Sequence, residues 1–185
     1  MPRISAIAVA FFLLAGLAAA QIPTKGNVFL GYSYFNTNVS TLDRGSLNGW
    51  EGSLEGKVFP GVGIVADLSG SYGSLNFPYA CPVELPPCLP PPADQVSLHN
   101  VMFGPRFSFS IRKFRPFAEF EFGVGHVNAN AAGSNTSFAT AFGGGLDYRL
   151  MRIVAWRLQG DYVQTRFFGS TQSNARVSTG IVLRF

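Results

Sequence analysis

Pro116-Phe117-Ala118-Glu119-Phe120-Glu121-Phe122-Gly123-Val124, residues 116–124, alternates between two chemistries. Ala118, Phe120, Phe122 and Val124 share one parity, and Glu119, Glu121 and Gly123 share the other. A period of two predicts a β-strand with two unlike faces. One face is aromatic and the other acidic, so the strand separates two different environments.

The same pattern recurs on both sides of this stretch, giving eight predicted strands. They cover 27–35, 47–58, 62–73, 97–111, 116–127, 137–149, 153–168 and 174–185. The apolar faces collect residues such as Leu30, Trp50, Leu68, Phe103, Phe107, Phe142, Trp156, Tyr162 and Leu183. The opposite faces collect Glu51, Glu55, Lys57, Asp67, Arg106, Glu119, Glu121, Asp147, Arg157, Asp161, Arg176 and Arg184. The apolar set contains no ionic residue, while the polar set holds both signs. A closed lumen lined by balanced charge and an exterior turned to lipid accounts for this inversion. An Arg or Lys on the lipid face would cost about 2–4 kcal/mol at mid-bilayer.

Composition agrees. The chain has 185 residues, with 13% charged, 14% aromatic, 18 Phe and 21 Gly. A water-facing surface normally carries roughly twice that charge. After the first twenty residues no apolar run is long enough for a spanning helix. The formal charge of +4 comes without a Lys/Arg run that would mark a nucleic-acid surface. Arg112, Lys113 and Arg115 are read as a charged turn at a membrane edge.

Residues 1–20 read as a signal peptide: Arg3, an apolar stretch from Ile4 to Leu17, then Ala18-Ala19-Ala20 before Gln21. Residues 21–185 then form one barrel domain. Export to an oxidising compartment makes a Cys81–Cys88 disulfide the expectation. Metal binding by these two cysteines is the poorer alternative, and no cofactor is implied.

The expected short turns are 59–61, 112–115 and 150–152. Longer loops are expected at 36–46, 74–96, 128–136 and 169–173. With an even strand number both termini fall on the short-turn side, expected to be periplasmic. Tyr34, Trp50, Tyr72, Phe138 and Tyr162 would form one aromatic girdle, and Phe109, Tyr148, Trp156 and Phe185 the other. If 112–115 is the turn, Arg106 faces Glu121, with Glu119 diagonal to it. Asp147 would face Arg157, and Asp161 would share its inward face with Arg176. Gly143 and Gly145 would leave room for long Arg side chains. An interior of eight strands is only wide enough for side chains, so the expected network is a plug.

The runs Gly143-Gly144-Gly145-Leu146-Asp147-Tyr148-Arg149 and Arg157-Leu158-Gln159-Gly160-Asp161-Tyr162 resemble the eight-stranded outer-membrane barrels of the OmpA transmembrane-domain and OmpX type. The alternating strand Val177–Phe185, ending on an aromatic residue, is similar to theirs. That resemblance implies an all-β, antiparallel up-and-down transmembrane barrel. It also implies outer-membrane lipid as solvent and Phe185 as part of a signal read by the barrel-assembly machinery. Envelope integrity, adhesion or another surface interaction are the implied roles.

Seven of the twelve prolines lie between Pro78 and Pro92, which predicts a semi-rigid loop within 74–96 able to meet a surface partner. A small channel, a lipid-modifying enzyme and a soluble lipocalin-like barrel are the competing functions. An enzyme would need a His beside a Ser, and only His99 and His126 are present. His126 sits on the lipid-facing parity and reads as an interfacial polar residue. A channel would depend on Arg106 or Glu121. A lipocalin would need the charged face outside.

Overall fold

The computed structural model describes residues 25–37, 45–75, 94–130 and 133–185. The expected signal peptide, the start of the barrel domain at Gln21, Cys81, Cys88 and the proline cluster lie outside them. The strands are β1 (Gly26–Thr37), β2 (Gly45–Phe59), β3 (Val62–Leu75) and β4 (Asp94–Ser108), then β5 (Phe114–Ala129), β6 (Gly133–Arg149), β7 (Val154–Thr165) and β8 (Gln172–Arg184). Each pairs antiparallel with its sequence neighbour, and β8 pairs with β1, so the sheet closes as an up-and-down barrel.

Closure leaves none of these eight strands at an unpaired edge. It also sorts the side chains by parity. The outward set includes Leu30, Leu54, Ile64, Phe103, Phe107, Phe138, Phe142 and Leu183, all well exposed. The inward set includes Glu51, Glu55, Asp67, Arg106, Glu121, Arg157 and Arg176, all buried. The charged face is therefore the inside, which excludes the lipocalin arrangement.

One end of the barrel carries three short connections. Between β2 and β3, Pro60 is followed by Gly61 at φ 83°, the signature of a type II turn. Between β4 and β5 the turn is tighter than the sequence suggested. Ile111 and Phe114 exchange backbone hydrogen bonds of 2.7 and 2.9 Å around Arg112 and Lys113. Between β6 and β7, Leu150 N–H donates to Val154 O at 3.1 Å.

At the opposite end the bounds of the expected loops change. Ala129 pairs with Gly133 and His126 with Thr136, so the β5–β6 hairpin runs almost to its tip instead of opening at 128. The β7–β8 connection folds into a 3-10 turn, Phe167–Gly169. Ser74 and Leu75 pair with Gln95 and Asp94, which narrows the β3–β4 loop from 74–96 to 76–93. These strands of 12–17 residues outrun the 9–11 that a tilted strand needs to cross the hydrocarbon.

Outward aromatics gather toward both ends. Tyr34 Oη lies 2.7 Å from Ser46 Oγ, and Tyr72 Oη lies 3.1 Å from His99 Nε2. At the short-turn end Phe114, Tyr148 and Trp156 follow one another across three strands. The first two rings sit 5.2 Å apart. An aromatic body with a polar tip suits the boundary between apolar and wet surroundings.

Candidate functional site

The inward face is built in three tiers. Nearest the short turns lies a tier rich in arginine. Arg157 donates from Nε to Asp147 Oδ1 at 2.7 Å and from Nη2 to Asp147 Oδ2 at 3.2 Å. Arg106 donates from Nε to Glu119 Oε2 at 2.5 Å and reaches Glu55 Oε2 from Nη1 at 3.3 Å. Arg115 donates from Nη2 to Glu55 Oε1 at 2.6 Å and from Nε to Ser108 Oγ at 3.1 Å. Asn27 Nδ2 donates to Glu55 Oε2 at 2.7 Å. The Phe117 ring holds two guanidinium groups, Arg106 and Arg157, each 4.6 Å from its centroid. Such contacts gain strength where water is excluded.

The second tier is rich in carboxylates. Arg176 donates from Nε to Asp161 Oδ2 at 2.8 Å and from Nη1 to Asp67 Oδ1 at 2.9 Å, and its Nε lies 3.4 Å from Glu51 Oε2. One guanidinium thus serves three acids. Neutral donors supply the rest: Gln159 Nε2 donates to Glu51 Oε1 at 2.8 Å, and the Ser178 hydroxyl donates to Glu51 Oε2. Glu121, buried in the same region, has neither carboxylate oxygen hydrogen-bonded among the described residues.

The third tier is largely apolar. Phe35, Leu47, Leu98, Met102, Val127, Ala141, Val163 and Phe167 form a buried cluster across the lumen toward the other end. Met102 and Leu98 share the inward parity of Arg106, so continuing that parity along β4 would have found them. The lumen is therefore not charged throughout. It is charged over the part nearer the short turns, and beyond that the apolar cluster shares it with uncharged polar groups, among them Thr37, Thr165, Gln172 and Asn174.

Several expected positions move. Arg106 faces Glu119, not Glu121, because the two-residue turn shifts the β4–β5 register by two. Arg115 leaves the expected surface turn for the lumen and is buried. Its parity with Phe117 and Glu119 carried that signal. Asp147 faces Arg157, and Asp161 faces Arg176. Lys57 stands half-buried at the mouth of the short-turn end, outside the paired network, since Glu55 is engaged by Arg115 and Arg106.

Gly143 and Gly145 make room for other groups than arginine. A Cβ at Gly143 would stand 2.0 Å from Asp161 Oδ1, and one at Gly145 would stand 2.7 Å from Phe117 Cζ. Phe185 lies exposed at the short-turn end, its backbone N–H donating to Gly26 O at 3.1 Å. His126 and His99 face each other on the outer surface. The partner of His126 Nδ1 is the Thr136 hydroxyl at 2.7 Å.

No protein-family model matches the sequence, and no curated protein matches it either. Solved structures do match. Neisserial surface protein A (NspA) superposes with a TM-score of 0.67 at 12% identity, over 86% of this chain and 97% of that one. Ail, the attachment invasion locus protein of Yersinia pestis, solved with the heparin analogue sucrose octasulfate, gives 0.58 at 15% identity, over 87% and 98%. The outer membrane protein OprG of Pseudomonas aeruginosa gives 0.59 at 8% identity, over 87% and 95%. The chain has the fold of the eight-stranded outer-membrane β-barrels.

Proposed function

We propose that the protein is an integral barrel of a bacterial outer membrane that neither conducts nor catalyses, and that it acts through the connections at the end opposite the short turns. The observation that carries this reading is the blocked lumen. Arg106, Arg157 and Arg176 are fully buried inside it, each held by carboxylates, and the apolar cluster lies across the path beyond them. An eight-stranded barrel leaves no space for a water column beside such side chains. The exterior supplies the second requirement, a continuous apolar belt with aromatic residues toward both ends.

The short turns belong on the periplasmic side in this reading, with both chain ends there, and residues 38–44 and 76–93 belong to the cell surface. The sequence 76–93, with its seven prolines and the expected Cys81–Cys88 disulfide, is the segment best suited to a surface contact, because proline-rich sequence has little entropy to lose on binding. NspA is named a surface protein and Ail an attachment protein, which is consistent with a surface role for this fold. Phe185 serves the assembly machinery during insertion.

Current recording in a planar bilayer tests the reading. The refolded protein is expected to show a heat-dependent gel shift in detergent and no discrete conductance steps. Steps that change in Arg106 or Glu121 variants would replace the plug by a channel. A lipid-modifying activity abolished by His126→Ala would replace it by an enzyme.

A further inference from the structure

The short-turn end of the barrel is ringed by cations that have few acids to pair with. Arg112, Lys113, Arg149 and Arg152 occupy its turns and strand ends. Inside the ring, a cavity of about 390 Å3 is lined by Lys25, Lys57, Arg115, Arg184 and Ser110, together with Gly26 and Phe185. Among the described residues no Asp or Glu side chain lines it. Arg115 is engaged above by Glu55 and Ser108. Arg184 comes no closer than 3.7 Å to Asp147, a carboxylate already held at 2.7 Å by Arg157. Arg184 Nε and Nη2 are screened from solvent and have no hydrogen-bond partner among the described residues. Lys25 and Lys57 make no ion pair among the described residues. Three cationic side chains, Lys25, Lys57 and Arg184, thus line a cavity with no side-chain acid among the described residues, an arrangement suited to an anion.

A second cavity, of about 380 Å3, shares Lys25 and Lys57 with the first and is completed by Val58, Phe59 and Pro60. Val58 and Phe59 are exposed on the lipid-facing side. Two lysines therefore stand between a cationic hollow under the barrel and an apolar one on its flank. A free inorganic anion would use only the first. A molecule with an anionic head and a hydrocarbon tail would use both.

We propose that this end of the barrel is a binding site for an anionic phospholipid, its phosphodiester seated among Lys25, Lys57 and Arg184 and its acyl chains lying along Val58 and Phe59. The site rests on the membrane reading above but not on which side of the membrane the short turns face. Basic side chains at a membrane surface attract anionic lipid additively, and the geometry here concentrates three of them on one headgroup.

The test uses the refolded protein in nanodiscs of phosphatidylcholine with a minor share of phosphatidylglycerol. Insertion is scored first by the heat-dependent gel shift. Native mass spectrometry after release into mild detergent then counts the lipids that stay bound. Phosphatidylglycerol is expected to be retained roughly tenfold above its share of the bilayer. Lys57→Gln alone should lower that enrichment, and the pair Lys57→Gln with Arg184→Gln should abolish it, both keeping the gel shift. Normal insertion with retained lipid that follows the bulk composition overturns the site. So does retention unchanged in the double variant, or inorganic phosphate that fills the site while lipid does not. A protein that fails to insert overturns the membrane reading and this site with it.

Discussion

The two charged tiers of the lumen use opposite strategies. In the lower tier four arginines, Arg106, Arg115, Arg157 and Arg184, meet three acids, Glu55, Glu119 and Asp147. Charges there are multiply shared, and two guanidinium groups also rest on Phe117. In the upper tier three acids, Glu51, Asp67 and Asp161, converge on Arg176, and Glu121 lies beside them unpaired. The lower tier is redundant and the upper one hangs on a single residue. A buried charge is tolerable only while paired, so the tiers should respond very differently to the loss of one arginine.

The largest expected effect follows directly. Arg176→Met should destabilise the folded barrel by about 3–5 kcal/mol, because it leaves three carboxylates buried without a cation. Arg115→Met should cost clearly less, since Glu55 keeps Arg106 and Asp147 keeps Arg157. Urea titration in lipid vesicles, scored by the gel shift, measures both. Equal losses would show that the tiers are not energetically distinct.

The apolar cap offers the next contrast. Leu98 is fully buried within it. Leu98→Ala should cost about 2–5 kcal/mol through lost transfer energy and the cavity left behind. Its effect should add to that of Arg115→Met, whose side chain lies at the far end of the lumen. Strong coupling between them would mean that the cap and the arginine-rich tier form one cooperative unit.

Gly143→Ala probes the upper tier from its wall. The new methyl would stand 2.0 Å from Asp161 Oδ1 and 2.6 Å from Gly160 O. Crowding of this kind costs typically about 1–3 kcal/mol. Here it also pushes Asp161 off Arg176. Gly160→Ala, where nothing stands within 4 Å of the added methyl on the outer face, is the control and should change stability little. Similar losses at both positions would show that backbone freedom, not the Asp161 contact, decides the cost.

These contrasts also mark where the sequence was legible. Strand parity assigned the faces, because a period of two keeps every face through any even shift of register. Register was less accessible. A turn read as four residues instead of two leaves every face unchanged but slides each partner by two positions. That slip pairs Arg106 with Glu121 and sets Arg115 in a surface turn. The apolar cap was hidden for a different reason. Leu98 and Met102 are apolar residues on the inward parity, and a search for charged lumen residues passes over them. The glycines of 143–145 signalled close packing without saying which side chain approaches, since a missing Cβ names no neighbour.

The smallest expected effect is the sharpest test of the upper tier. Glu121 lies opposite Gly104 on β4 by the same register and opposite Ala141 on β6, neither of which offers it a side-chain donor. Its ionic neighbours are Asp67 and Glu119 on one hand and Arg176 and Arg106 on the other, and those guanidinium groups are already held by other carboxylates. Replacing this side chain by the neutral amide of Glu121→Gln removes a buried carboxyl that no side-chain donor holds, while keeping shape and volume. Stability is expected to equal or exceed that of the original chain in the same urea titration. In combination with Arg176→Met it should recover part of the lost stability, because one fewer acid then stands uncompensated. A large loss from Glu121→Gln alone would show that the carboxylate holds a partner that the tier requires, and the division into a redundant lower tier and a singly supported upper tier would fall.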